Sequence, residues 1–297
     1  MEVIVLGVPT SDGTGIRGCE LAPQALRGMG LESMIGKYRK VRDLGDAVPL
    51  MGLDKNTDDS DNKTFNYNRV IDFNCVVAEM AIKYARAEDF TLFLGGDHSI
   101  SAGSIAGRHA CFPDTAVIWI DAHADLNTYE TSPSKNAHGM SAAALLGAGH
   151  LTHNFSEARI SEKNLFLLGQ RGKALDGGEI SLIGDRGIFI RTWDEIQRVG
   201  VRPVLEGIIQ TVKKNADPRI HLSFDIDVVS GSLVTGTGTP VDGGPDVSEV
   251  KEILRILAQS GLMRSMDFVE FNPLLDKDGK TALLCMELLE EVFKYLV

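Results

Sequence analysis

Two carboxylates and an imidazole alternate in Asp121-Ala-His123-Ala-Asp125, directly after the apolar run "AVIWI". Charged groups where a buried strand ends are costly unless something compensates them, and a bound cation does so. Three further strand ends repeat the pattern: "TLFLGG" runs into Asp97-His98-Ser99, "IHLSF" into Asp225 and Asp227, and "SMDFV" into Glu270. Each has a plain structural reading when taken singly. His98 could be a satisfied histidine at the rim of the core, the alternating acids a solvated turn, and Asp225 and Asp227 caps for the next element. In conjunction they read differently, because carboxylates and imidazoles converging on one edge repel and titrate abnormally without positive charge. Two divalent ions would neutralise them. Carboxylate-rich ligation without thiolates suits Mn²⁺ better than Zn²⁺. A carboxylate-bridged pair about 3.5–4 Å apart lowers the pKa of a shared water toward neutrality and makes a hydroxide nucleophile. The chemistry to expect is metal-assisted hydrolysis.

The elements that must position these groups alternate along the whole chain. Short apolar runs "EVIVLG", "KVRDLG", "TLFLGG", "AVIWID", "NLFLLG", "GIFI", "IHLSFD" and "MRSMDFVEF" read as strands buried on both faces. Between them "NRVIDFNCVVAEMAIKYARA", "DEIQRVGVRPVLEGIIQTVKK", "VSEVKEILRILAQSG" and "TALLCMELLEEVFKYL" carry apolar residues at helical spacing. The alternation predicts an α/β protein with a mainly parallel sheet, whose ligands bind at the carboxyl ends of the strands. No linker or repeat marks a boundary, so residues 1–297 read as a single domain. The acidic, turn-rich stretch 54–68 reads as a surface loop before a helix.

Composition excludes several classes. A formal net charge of -11, with no Lys/Arg cluster, disfavours nucleic acid and anionic lipid as partners. Hydrophobic residues at 43% and charged residues at 24% are those of a globular protein with a large core. The opening "MEVIVLGVP" has neither a basic leader nor a long apolar stretch, which predicts a cytoplasmic protein without a membrane span. The four cysteines, Cys19, Cys75, Cys111 and Cys285, lack metal-site spacing and read as reduced fillers.

The ordered motifs "GIRGCELAPQALR", "GGDHSI", "DAHADLNTYETSPSKNAHGM", "SFDID" with "TGTGTP", and "DFVEFNP" resemble the ureohydrolases, and within them the arginases, over nearly the whole chain. The resemblance implies a parallel sheet sandwiched by helices in three α/β/α layers, two Mn²⁺ ions, and hydrolysis of a guanidinium to urea and an amine. His98, Asp121, His123, Asp125, Asp225 and Asp227 match the metal ligands, with Asp121 and Asp225 at the bridging positions. His138 matches the histidine that assists the leaving amine, Glu270 the carboxylate beside the guanidinium, and Asp125 is grouped with them at the reacting centre. For the substrate, L-arginine, Asn127 and Ser134 match the positions that grip the α-carboxylate, with Ser132 and Asn136 beside them. Asp176 resembles the carboxylate that holds the α-amino group, followed by Glu179, in a loop about two residues longer than in the arginases; Thr239 keeps a hydroxyl near the site.

Two departures stand out. The family's Asp-Pro after the second metal pair is here Ser230-Gly231, which predicts a looser turn. The chain also ends just after its last helix, without the tail some arginases use to clasp neighbours. The resemblance implies a homo-oligomer, a trimer or hexamer. Agmatinase and other ureohydrolases are the alternatives within the family, and a non-catalytic binding or regulatory relative is the alternative outside enzymology.

Overall fold

The computed structural model describes residues 1–48, 66–149, 151 and 159–297. Eight strands lie where the apolar runs place them: β1 (Glu2–Val8), β2 (Lys40–Asp46), β3 (Phe90–Gly95), β4 (Thr115–Ile120), β5 (Leu165–Leu168), β6 (Phe189–Arg191), β7 (Arg219–Asp225) and β8 (Met263–Val269). They form one sheet in the order β2-β1-β3-β8-β7-β4-β5-β6. Every pairing among the described residues is parallel, so the sheet is wholly rather than mainly parallel. β3 and β4 are buried at every position, as strands covered on both faces must be. The edge strands β2 and β6 are only half-buried.

Alternate residues of each strand enter opposite layers. From β4, Ala116, Ile118 and Ile120 join one core with α1 (Ala22–Gly28), α2 (Leu31–Gly36), α7 (Trp193–Val199), α8 (Val201–Val212), α9 (Val247–Gln259) and α10 (Lys280–Tyr295). Val117 and Trp119 point the other way, toward α3 (Tyr67–Lys83), α4 (Ser101–Cys111) and α5 (Ser141–Leu145). The remaining helix, α6 (Gly177–Arg186), also packs on that side through Leu182 and Ile183. The result is the expected helix-sheet-helix sandwich.

One helical expectation needs correction, and one helix, α4, is not among the stretches that the spacing marks. The stretch 194–214 is two helices, broken at Gly200, whose φ of 98° no helical residue adopts. α4 carries no clear apolar stripe, because it is built from small residues. A Cβ on Gly103 or Gly107 would stand 2.4 or 2.5 Å from the backbone of Asn74 or Ala78 on α3, so glycine there permits close contact of the two helices. Of the stretch 54–68, residues 54–65 lie outside the described residues, and Tyr67 and Asn68 already belong to α3.

The connections reverse direction between β4, which leads outward to β5 and β6, and β7, which leads inward to β8. Such a switch point opens a crevice at the carboxyl edge.

Candidate active site

Each chemical group leaves the end of a strand near that crevice. His98 follows β3 in a 3-10 turn capped by Asp97, whose side chain accepts the Ser99 N–H. Asp121, His123 and Asp125 follow β4, Asp225 ends β7 with Asp227 in the 3-10 turn after it, and Glu270 follows β8. Two of them carry backbone strain: Asp125 (φ 51°) and Glu270 (φ 64°) sit in the left-handed region. Such conformations persist only where the surroundings hold them, and they concentrate at functional sites.

The imidazole of His98 is stacked on Trp119, with ring centroids 4.2 Å apart. Its Nδ1 faces Asp121, Asp125 and Asp225 carboxylate oxygens at 3.1, 3.1 and 3.2 Å. None of the three meets this buried nitrogen with hydrogen-bond geometry. A nitrogen left so among three carboxylates suits a cation between them, and the set of imidazole and carboxylate donors fits a hard or borderline divalent ion. His123 Nδ1 lies 3.4 Å from Asp121 and 3.1 Å from Asp227. The donors therefore form two sets, His98-Asp121-Asp225 and Asp121-His123-Asp227, that share Asp121. Asp121 presents Oδ2 to the first and Oδ1 to the second, while Trp119 Nε1 and the His123 N–H orient it by donating to those oxygens. Asp225 enters only the first set; its Oδ1 accepts the Asp227 N–H at 2.7 Å.

The electrostatics agree with a cation site. Burial and the charge on Asp121 push the Asp125 carboxyl up to about 6, and burial with Asp227 and Asp121 drives Asp225 well above its ordinary range. Asp121 goes the other way: burial opposes its charge, but His123 and His98 outweigh burial and hold it far below the usual value. Burial likewise opposes a charge on His123, and Asp227 and Asp121 overcome it to push the imidazole up to about 12. A cluster this acidic requires positive charge.

Above these groups lies a cavity of about 250 Å³. Of the residues assigned to the substrate, Asn127, Ser132, Ser134, Asp176, Glu179 and Thr239 line it, together with His123, Asp125, Asp225 and His138. Asn136 does not; its N–H donates to Ser134 Oγ at 3.2 Å and so orders that hydroxyl. Glu270 stands behind the wall, where its Oε1 accepts from the His98 N–H at 2.7 Å and lies 3.0 Å from His138 Nδ1. Among the described residues its Oε2 meets only the Cys19 thiol, at 3.7 Å. Burial disfavours a charge on His138, yet Glu270 outweighs it and pushes the imidazole up to about 9.

Despite the longer loop, Asp176 and Glu179 both reach the cavity, because together they cap α6: Asp176 accepts the Glu179 N–H and Glu179 the Asp176 N–H. Glu179 also accepts the Leu126 N–H at 3.1 Å, and burial pushes its carboxyl up to about 7. The same loop adds Lys173, an exposed lysine on the cavity wall with no ion pair among the described residues. Ser230-Gly231 is well tied, with Ser230 N–H to Pro245 O at 3.1 Å and Gly231 N–H to Val241 O at 2.9 Å. The buried guanidinium of Arg171 binds the carbonyls of Asp227, Val229, Val241 and Asp242 around it, so arginine hydrogen bonds supply what a rigid Asp-Pro would have. Sequence reasoning missed Trp119, Cys19, Arg171 and Lys173. Trp119 and Cys19 read as core, and nothing in the spacing pointed to Lys173.

A wholly parallel sheet whose carboxyl edge gathers two overlapping His/Asp sets beneath a cavity defines a class: α/β proteins with side chains at the switch point that could hold metal ions. The Arginase family model matches residues 1–294, and the chain belongs to that family. It is 37% identical over 295 residues to the arginase of Bacillus caldovelox, covering 98% of this chain and 97% of the relative. The native B. caldovelox arginase structure superposes with a TM-score of 0.89 at 35% identity, over 98% of this chain and 97% of that one. The Entamoeba histolytica arginase in complex with L-ornithine gives 0.89 at 30% identity, with the same coverages.

Proposed function

We propose that this protein is an arginase, hydrolysing L-arginine to L-ornithine and urea. The observation that carries the reading is the Asp121 carboxylate shared by two ligand sets on the floor of a cavity whose walls offer both neutral donors and acids. His98, Asp121, Asp125 and Asp225 would hold one Mn²⁺, and Asp121, His123 and Asp227 the other, with Asp225 joining the second only through the bridging role that the resemblance gives it. When bound, the pair supplies an activated water and Lewis acidity.

The chain's own groups do the rest. The second oxygen of Glu270, beside the Cys19 thiol, keeps capacity to accept a guanidinium N–H, a charge-assisted bond that would place the planar cation over the floor. His138, oriented by Glu270, carries a proton to the departing amine. Asn127, Ser132 and Ser134 offer neutral donors to the α-carboxylate, and Lys173 adds a cation on the same wall. Asp176 takes the α-amino group, while Glu179 holds both Asp176 and the metal-bearing loop in place. Agmatine lacks the carboxylate that these donors suit. We further read residues 1–297 as one domain of a cytoplasmic homo-oligomer, a trimer or hexamer. Among the described residues no helix is long and apolar enough to cross a membrane.

The decisive experiment incubates the manganese-loaded protein separately with arginine, agmatine and formiminoglutamate and assays urea or formamide. Urea from arginine alone is expected. Turnover of agmatine in preference to arginine, or of neither, overturns the assignment.

A further inference from the structure

Behind the metal ligands the sheet interior contains a polar column that the reaction as described does not use. His221 and Ser223 on β7 are register partners of Ser265 and Asp267 on β8, and Asp225 continues the same face of β7. His221, Ser223 and Asp267 are 0% exposed. Burying polar groups here costs free energy that an apolar strand would not incur, so the column calls for a reason.

Its hydrogen bonds run toward the metal site. His98 Nε2 lies 2.9 Å from Ser223 Oγ. Ser223 Oγ is 3.5 Å from Asp267 Oδ2 and 3.1 Å from Ser101 Oγ, and Ser104 Oγ donates to Asp267 at 2.9 Å. On the far side, His221 Nε2 stands 3.0 Å from Asp267 Oδ2, and His221 Nδ1 is 2.8 Å from Ser265 Oγ. Burial works against a charge on Asp267, but His221 and the hydroxyls of Ser101 and Ser104 outweigh it and hold the carboxyl below its usual range. An ionised carboxylate only accepts, so the hydroxyl protons point toward it. The proton of Ser223 is then directed away from His98, directly to Asp267 or through Ser101. Ser223 Oγ can only accept from His98 Nε2–H, which leaves the Nδ1 lone pair facing Asp121, Asp125 and Asp225.

We propose that Asp267 is a positioning residue: acting through Ser223, it holds His98 in the tautomer whose Nδ1 ligates a cation. This rests on the reading of the cluster as a metal centre. Outer partners of this kind are worth about 10–100-fold in metal affinity. Asp267→Asn tests the idea sharply, because its amide can donate to Ser223, turn the hydroxyl proton toward His98 Nε2 and move the imidazole proton onto Nδ1.

The measurement is Mn²⁺ titration of the metal-free protein followed by electron paramagnetic resonance, with thermal unfolding of the same sample. The expected result is two sites in the parent and, in Asp267→Asn, a loss of about tenfold or more at one of them, the other changing by less than about twofold. Ser223→Ala is expected to reproduce the selective loss, and Ser223→Thr, which keeps the hydroxyl, to restore it. This pair also decides the matter if Asp267→Asn does not fold. Parent-like affinity at both sites, or equal weakening at both with a lowered unfolding temperature, overturns the proposal and leaves the metal centre standing. A parent protein that binds no Mn²⁺ overturns the metal reading itself, and the proposal with it.

Discussion

Asn127 Nδ2 donates to Asp176 Oδ2 at 2.8 Å, joining the β4 loop to the cap of α6 across the cavity. The resemblance gives these residues opposite ends of the amino acid head, so each is held for its task by the other. Asn127→Ala removes both a donor and a brace. The KM for arginine is expected to rise about tenfold or more with kcat less affected, since a bond to a charged group is worth roughly 1.5–3 kcal/mol. An unchanged KM would remove Asn127 from the binding wall.

Lys173 supplies an exposed ammonium on the same wall. Charge on an exposed side chain acts through a screened field. Lys173→Ala is expected to raise the KM for arginine a few-fold at low ionic strength, to lose that effect in concentrated salt, and to leave any residual reaction with agmatine unaltered. Equal changes for both substrates would count against a contact with the α-carboxylate.

Asp121 belongs to both ligand sets, so neither is complete without its charge. Asp121→Asn is expected to abolish urea formation and to reduce bound metal, read by elemental analysis, from about two equivalents toward none. Full activity in this variant is incompatible with the site described.

Glu179 gives the fold a pH signature. Burial raises its carboxyl from the usual 4.5 to about 7. As pH climbs through that interval the unfolded chain ionises first, so the contribution of this group to stability declines between about 4.5 and 7 and is flat above, by about 3 kcal/mol at most. In the metal-free protein, Glu179→Gln is expected to flatten the fall of unfolding free energy across that window. Parallel denaturation curves for parent and variant would refute the attribution.

The contact between α3 and α4 permits a test of packing away from the site. A Cβ at Gly103 would stand 2.4 Å from Asn74 O and 2.8 Å from its Oδ1. Gly103→Ala is expected to destabilise by about 1–3 kcal/mol, because the clash with backbone exceeds the gain in helix propensity. A rise in unfolding temperature would show that the helices can separate at little cost.

The strands and their terminal acids were legible because parallel strands buried on both faces read as unbroken apolar runs, and a charge placed directly after one has few structural excuses. His98, Asp121, His123, Asp225 and Asp227 each announced themselves in that way. Helices were less legible where their surface departs from an apolar stripe, as in α4, whose glycines face Asn74 and Ala78. Gly200 was hidden inside a helical period that continues in phase on both sides of it. Ser223 and Asp267 escaped for a different reason: they sit inside strands, and their roles emerge only when β7 and β8 are placed side by side. Arg171 and Lys173 act from the start of a single short 3-10 turn, too brief for any periodicity to give a direction to the side chain.

The last strand of the chain, β8, lies in the middle of the sheet, between β3 and β7. During synthesis on the ribosome, His98 emerges with one half of the sheet, and Asp121, Asp225 and Asp227 with the other. Among the described residues, strand pairing joins the halves only through residues 263–269. The sheet edge that carries His98, Asp121 and Asp225 therefore gains continuous strand pairing only with the last strand to be synthesised.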